Sequence, residues 1–270
     1  MKRRVFSAII ASLIIVVLSL CLLSSCRKSA PQETTTDNST QKGTTEPVES
    51  NTSKPSEAER TSTKPVEPSN VELAPIEIEL PKPMFVGTPQ PAKLPNLEKP
   101  RETAREPFLA PIGTKNIARG KPVASSDEMP IIGELEYITD GDKEASEGSY
   151  VELGPGLQHV TIDLEAEYEI YAVVVWHYHK QGHVYFDVVV QVADDPDFIN
   201  NVKTIFNNDI DNSAGLGVGK DMHYVETNEG KLIDAKGVHG RYVRLYSSGN
   251  HVNDMNHYIE VEVYGKPVVN

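Results

Sequence analysis

Fourteen of the nineteen prolines in this chain lie between Cys26 and Gly113. Proline fixes φ and lacks the N–H that helix interiors and central strands require. That third of the chain therefore cannot build regular secondary structure of its own. One folded domain is expected, over residues 114–270. Its roughly 155 residues suffice to bury a core without disulfides or metals as staples.

The N-terminus reads as an export signal. Lys2, Arg3 and Arg4 form a basic start, and Phe6–Leu23 is apolar apart from Ser7, Ser12 and Ser19. A basic segment, an apolar segment and small residues at a cleavage point make a secretory signal peptide, here residues 1–25. Leu23-Ser24-Ser25-Cys26 resembles a bacterial lipobox, which implies cleavage before Cys26, acylation of its thiol and anchoring through the acyl chains. An uncleaved signal anchor is the alternative, and it too places the rest of the chain outside the cytoplasm. Arg27, in place of aspartate after the cysteine, favours the outer membrane or cell surface by analogy with lipoprotein sorting.

Residues 26–70 form the expected tether. Positions 27–70 hold nine threonines and seven serines and almost no large apolar group, too little to offset the entropy of ordering. A coil of about 45 residues spans on the order of 40 Å, more with proline. Residues 71–113 differ: Ile76-Glu77-Ile78-Glu79-Leu80 alternates as a strand does, and Met84, Phe85, Phe108 and Leu109 sit among prolines. This stretch reads as an extended arm that partly packs on the domain, with further spacer as the alternative.

Charge narrows the partners. Of the net −13, the domain carries 12 basic against 26 acidic side chains, or −14. Phosphate backbones and anionic headgroups would repel it, so no nucleic acid is expected, and membrane contact only through the lipid anchor. Cys21 and Cys26 are the only cysteines, so the domain does without disulfides.

After residue 114 helical periodicity gives way to short β-rich runs between Gly, Asn, Asp and Pro. Val160–Leu164 alternates, Glu169–His179 is a long run rich in Val, Ile and aromatics, and Val184–Val192 puts Val184, Phe186, Val188, Val190 and Val192 on one face. Arg241–Tyr246 and Tyr258–Tyr264 follow, the latter with Ile259, Val261 and Val263 on one face. About eight antiparallel strands with polar loops predict an all-β jelly-roll sandwich.

Five segments carry a resemblance: Asn116-Ile117-Ala118-Arg119-Gly120-Lys121-Pro122-Val123, Thr139-Asp140-Gly141-Asp142, Val160-Thr161-Ile162-Asp163-Leu164, Arg241-Tyr242-Val243-Arg244-Leu245 and Glu260-Val261-Glu262-Val263-Tyr264-Gly265. Together they resemble the discoidin, or coagulation factor type C, domain of the galactose-binding-like fold, nearest to its bacterial carbohydrate-binding modules. The resemblance covers about residues 116–266. It implies a structural calcium ion held by Asp140, the backbone of Tyr137 and Asp142, and Glu260. A hydroxyl residue often completes that shell; here its position is Ala145, with Ser146 next. An ordinary Asp-Gly turn is the alternative for this loop.

It also implies a sugar site of aromatic and polar side chains, for which Trp176, His179, His183, Tyr185, Asn250, Asn253 and His257 have suitable types. Trp176 fits a core position as well. His177 and His179, read as sharing a strand face, could ligate zinc or copper if a third ligand joined them. Asp209, Asp211 and Ser213 have the odd spacing of an EF-hand start, but Ala214 stands where that loop needs glycine. No serine-hydrolase elbow, zincin helix, P-loop or cysteine nucleophile is present. The expectation is a lipid-anchored, extracytoplasmic, non-catalytic module for polysaccharide or glycoprotein glycans. The alternative is a module that docks an envelope protein, and an unrecognised hydrolase or metal-binding protein is the weaker third class.

Overall fold

The computed structural model describes residues 71–85 and 93–268. The signal segment 1–25, Cys26, the tether 26–70 and residues 86–92 of the arm lie outside the described residues. The described chain is all-β, as expected. It comprises β1 (Leu73–Pro75), β2 (Leu109–Pro111), β3 (Lys115–Asn116), β4 (Val123–Ser125), β5 (Val151–Leu153), β6 (Leu157–Trp176), β7 (Val189–Ala193), β8 (Lys203–Asn207), β9 (Lys231–Ser248), β10 (Asn256–Tyr258) and β11 (Glu260–Pro267). One 3-10 turn, Leu135–Thr139, precedes Asp140. Among the described residues no helix is long and apolar enough to cross a membrane.

Seven strands make one antiparallel sheet, with the path β3-β11-β6-β9-β7-β8 and β4 on the flank of β6. The two long strands carry the architecture. Their register breaks between Asp163 and Tyr168 and again between Ile170 and Ala172. At those breaks Glu165 and Lys236 adopt left-handed φ of 65° and 56°. Aspartates hold both: Asp163 Oδ1 accepts from the Glu165 N–H at 2.7 Å, and Asp234 Oδ1 from the Lys236 N–H at 2.9 Å. Such bulges bend a strand, and here they let one sheet fold over its own core. Val160 and Ile162 from the first half of β6, Val173 and Val175 from the second, Val190 and Val192 of β7, Val243 and Leu245 of β9, and Val261 and Val263 of β11 all belong to one buried cluster. Each buried branched side chain of this kind contributes about 1.5–3 kcal/mol.

A second buried cluster lies on the other face of β6 and β11: Ala145, Ala172, Val174, Trp176, Ile259 and Tyr264. The arm covers it, because Ile76, Ile78 and Phe108 pack there and the Tyr264 hydroxyl donates to the Glu77 carbonyl at 3.0 Å. β1 and β2 pair with each other inside the arm.

Three local expectations are corrected. Of the predicted Val184–Val192 strand only the part from Val189 on is a strand, which runs Val189–Ala193, and Asp187 turns left-handed at φ 51° just before it. The run through His179 ends its pairing at Trp176, so His177 and His179 lie in the following loop and not on a strand face. Ile259 falls between β10 and β11, and it packs in the second cluster while Val261 and Val263 face the main core.

Candidate functional site

The loop after the 3-10 turn meets the start of β11. Asp140 Oδ1 accepts from the Asp142 N–H at 2.7 Å, Asp142 Oδ1 from the Glu144 N–H at 3.0 Å, and the Gly141 N–H donates to Glu260 Oε2 at 3.1 Å. Gly141 sits at φ 89°, and a Cβ there would meet Arg119 Nη1 at 2.6 Å. Glu260 is fully buried, and its Oε1 has no hydrogen-bond partner among the described residues. Burial, with repulsion from Glu262 and Asp140, pushes its carboxyl up to about 9 against the Gly141 amide and Lys143. Lys143 is committed elsewhere: its Nζ pairs with Glu262 Oε1 at 2.8 Å. A buried carboxylate with an unfilled oxygen beneath an acidic loop fits a hard cation, which wants oxygen donors. Ala145, at the position of the missing hydroxyl, is buried in the second cluster at φ 52°, and Ser146 is exposed. Tyr137 lies on the 3-10 turn, half-buried.

The predicted ligand residues divide. Trp176 is fully buried; its Nε1 donates to the Asn228 carbonyl at 3.0 Å, and a Cβ on Gly230 would stand 2.7 Å from its ring. It offers no face to a sugar and serves as core. His179 is also fully buried, and its Nε2 donates to the Lys143 carbonyl at 2.9 Å, so it braces the 140–146 loop. His177 sits against Glu226 Oε1 at 2.7 Å and stacks on Tyr185 at 4.4 Å.

His183, Tyr185, His257, Asn250 and Asn253 do come together, at one end of the sandwich. Tyr185, buried, donates its hydroxyl proton to His257 Nδ1 at 2.9 Å, and His257 Nε2 donates to Glu152 Oε2 at 2.9 Å, which fixes the tautomer. His183 is buried, and among the described residues neither ring nitrogen has a partner; burial, then His257 and His251, lowers it to about 4. It is neutral at physiological pH. Asn250 spends its amide on the 250–255 loop: Nδ2 donates to Asn253 Oδ1 at 2.8 Å and to the Met255 carbonyl at 3.0 Å, and Oδ1 accepts from Val252 at 2.9 Å. Asn253 is exposed. The loop is tied to the neighbouring segment through the Val184 N–H and His251 Nδ1 at 3.1 Å.

Two rings that sequence reasoning missed complete this end. Tyr150 and Tyr178 are half-buried, 5.1 Å apart and tilted at 57°. Each lies near His257, at 5.9 and 5.8 Å, and Tyr178 lies 5.7 Å from His183. Tyr178 directly follows His177, and Tyr150 directly precedes β5, but nothing in the one-dimensional pattern pairs them. Among the described residues His177 and His179 find no third metal ligand. Among the described residues, the one group of three His, Cys, Asp or Glu whose ligand atoms lie within 4.8 Å of one another is Asp187, Asp209 and Asp211. These carboxylates could hold a cation. Two of them were singled out in the EF-hand comparison, but Asp187 was not.

No family model and no curated protein matches the chain. Solved structures similar to it include a family 89 glycoside hydrolase from Clostridium perfringens in complex with 2-acetamido-1,2-dideoxynojirmycin, at 19% identity and a TM-score of 0.42. That match covers 57% of this chain and only 15% of the hydrolase. The CBM32 of AlyQ in complex with 4,5-unsaturated mannuronic acid is similar at 18% identity and a TM-score of 0.40, over 53% of this chain and 92% of that one. A Streptococcus pneumoniae fucose-binding module is similar at 18% identity and a TM-score of 0.38, over 56% of this chain and 97% of its own.

Proposed function

We propose that the chain is an extracytoplasmic lipoprotein presenting a non-catalytic carbohydrate-binding module. Its anchor is the acylated Cys26, in the outer membrane or at the cell surface, and residues 26–70 are the tether. The observation that carries the binding reading is the Tyr150–Tyr178 pair, half-exposed and set beside the buried imidazoles of His183 and His257, the latter fixed by its bonds to Tyr185 and Glu152. Sugar rings stack on aromatic faces while their hydroxyls need fixed polar partners. The exposed Asn253, at the tip of a loop stiffened by Asn250, is suited to meet them. Calcium at Asp140 and Glu260 acts structurally, holding the loop braced by His179.

The test is a glycan array probed with the purified protein in calcium, beside Tyr178→Ala and Asn253→Ala. Saturable binding to one glycan class, weakened at least tenfold in both variants, supports the reading. Binding that neither variant affects removes the loop end as the site. Failure to bind any glycan favours an envelope-protein partner, sought next by pull-down.

A further inference from the structure

The opposite face of the sheet holds a second site. Along β6, Val160 and Ile162 point to the core, so His159, Thr161 and Asp163 point away from it. Along β9 the same alternation puts Val243 and Leu245 inside and Tyr242 and Arg244 outside. These outward residues, with β4 and Pro196, line a groove of about 320 Å³. None of them belongs to the loop-end cluster or to the Asp140–Glu260 corner.

Arg244 is the feature that gives the groove its chemistry. Its Nε donates to Thr161 Oγ1 at 2.8 Å and its Nη2 to the Pro196 carbonyl at 2.7 Å, while the Phe198 ring stacks 4.0 Å from the guanidinium carbon. A long Nη1 contact reaches the Tyr246 hydroxyl at 3.5 Å. Among the described residues no carboxylate pairs with it. Guanidinium has five N–H donors, so about two remain free. Its neighbour Arg241 behaves differently: it takes Asp163 in a two-pronged pair, 2.7 Å at each oxygen, and so removes the one acid lining the groove.

The loop that grips Arg244 is rigidly built. The Asp195 carboxylate accepts from the amides of Asp197, Ile199 and Asn200 at 3.1, 3.2 and 2.6 Å, and these bonds hold it below the usual carboxylate range. Phe198 itself sits at φ 57°, in the left-handed region that a residue with a side chain rarely adopts, and its ring lies on the Arg244 guanidinium. Beside Arg244 lies His159, whose ring makes no hydrogen bond among the described residues and stands 5.2 Å from Tyr246. Burial, then Arg244, lowers His159 to about 4, so at neutral pH it can both donate to and accept from a hydroxyl. Tyr242 adds an aromatic wall, with Arg241 over it at 5.0 Å.

We propose that this groove binds a carboxylate-bearing sugar, its carboxylate on the free N–H groups of Arg244, its ring against Tyr242 and a hydroxyl on His159. A positioned guanidinium suits a planar carboxylate because the two form parallel, charge-assisted bonds. The assignment extends the carbohydrate reading with a second subsite but does not use the loop-end residues, so the two can fail separately.

The experiment is titration calorimetry of the full-length protein in detergent with trigalacturonate and with its methyl ester, on the natural chain, on Arg244→Gln and on Lys220→Gln, which alters an exposed lysine outside the groove. Near-UV circular dichroism checks folding. The natural chain should bind the acid at least tenfold more tightly than the ester. Arg244→Gln should abolish that preference, and Lys220→Gln should leave it intact. Equal affinity for acid and ester, a preference that survives Arg244→Gln, or no binding of the acid at millimolar concentration would each overturn the proposal. The acid–ester comparison needs no variant, so a misfolded Arg244→Gln leaves it decisive. Loss of the preference in Lys220→Gln would also overturn it, by showing that the acid is drawn by surface charge at large and not by the groove.

Discussion

Two acidic corners of this molecule look alike in sequence and differ in their chemistry. Asp187, Asp209 and Asp211 bring ligand oxygens of three carboxylates within 4.8 Å of one another, closer than any three acids at the Asp140–Glu260 corner. Yet the triad is already served by its own loop. Asp209 accepts from the Ser213 amide at 3.0 Å and from the Ala214 amide at 2.9 Å, and Asp211 from the Ser213 amide at 3.1 Å. The Ser213 hydroxyl donates to Asp187 at 3.1 Å. At the other corner a wholly buried carboxylate oxygen, Glu260 Oε1, has no partner among the described residues. Backbone amides can neutralise a carboxylate as a cation does, so the count of acids is a poor guide and the unfilled oxygen a better one.

The largest effect that could break this contrast is chelation. If the Asp140–Glu260 corner holds calcium, a ligand at a hundred times its Kd stabilises by about 2.7 kcal/mol, or roughly 5–10 °C in a domain of this size. EDTA should therefore lower the melting temperature by that amount at pH 8. Glu260→Gln should abolish the response, and Asp209→Asn should keep it. A melting curve that EDTA does not move would put both corners on the same footing, as ordinary turns.

The next effect sharpens the same point through pH. Folded Glu260 holds its proton up to about 9, whereas in the unfolded chain it releases it near the usual value of about 4.3. Between those limits the native state carries one more proton, so the stability of the chelated protein should fall as pH rises from about 4.5 towards 9. Calcium replaces that proton, so its presence should flatten the fall and its affinity should increase with pH. Denaturant melts with and without EDTA, at pH 5 and pH 8.5, read this directly. Equal slopes of stability against pH for the natural chain and Glu260→Gln would remove Glu260 as the cause.

These corners also show what the chain discloses in one dimension. The period-two pattern of Val160, Ile162 and Leu164 and of Val261 and Val263 names core residues correctly, because alternation is the signature of a half-buried strand. The same pattern misplaces Ile259, His177 and His179, since a strand's end is set by where its partner stops, and β6 loses its partners after Trp176. Glu260 is readable only through resemblance to a family. Its unfilled oxygen is a fact of burial. Asp187 joins Asp209 across 22 positions because β7 and β8 pair antiparallel with Val189 opposite Asn207, and that register, carried outward, sets the two acids side by side. Tyr150 and Tyr178 meet by the same kind of long-range closure.

A smaller effect separates support from scaffolding within the triad. Asp209→Ala removes the acceptor of the Ser213 and Ala214 amides, and leaving such groups unpaired costs about 1–3 kcal/mol. The loss should appear equally with and without EDTA. If instead it appears only when calcium is present, the triad is itself a cation site and the contrast between the corners is wrong.

The smallest expected change in stability is at the loop end. Asn253→Ala deletes an exposed side chain whose Oδ1 accepts from Asn250 Nδ2 at 2.8 Å and from the Met255 amide at 3.0 Å. Asn250 Nδ2 keeps its bond to the Met255 carbonyl and Asn250 Oδ1 keeps its two amides, so the loop retains most of its ties. Surface changes of this kind fall within about 1 kcal/mol. Glycan affinity should nevertheless drop tenfold or more, because the amide lost is the one free to meet a ligand. A drop in affinity matched by a large fall in melting temperature would mean that Asn253 shapes the loop and does not touch the sugar. In that case the binding contacts should be sought on Tyr178, whose ring rests on His183 and Tyr150 whatever the loop does.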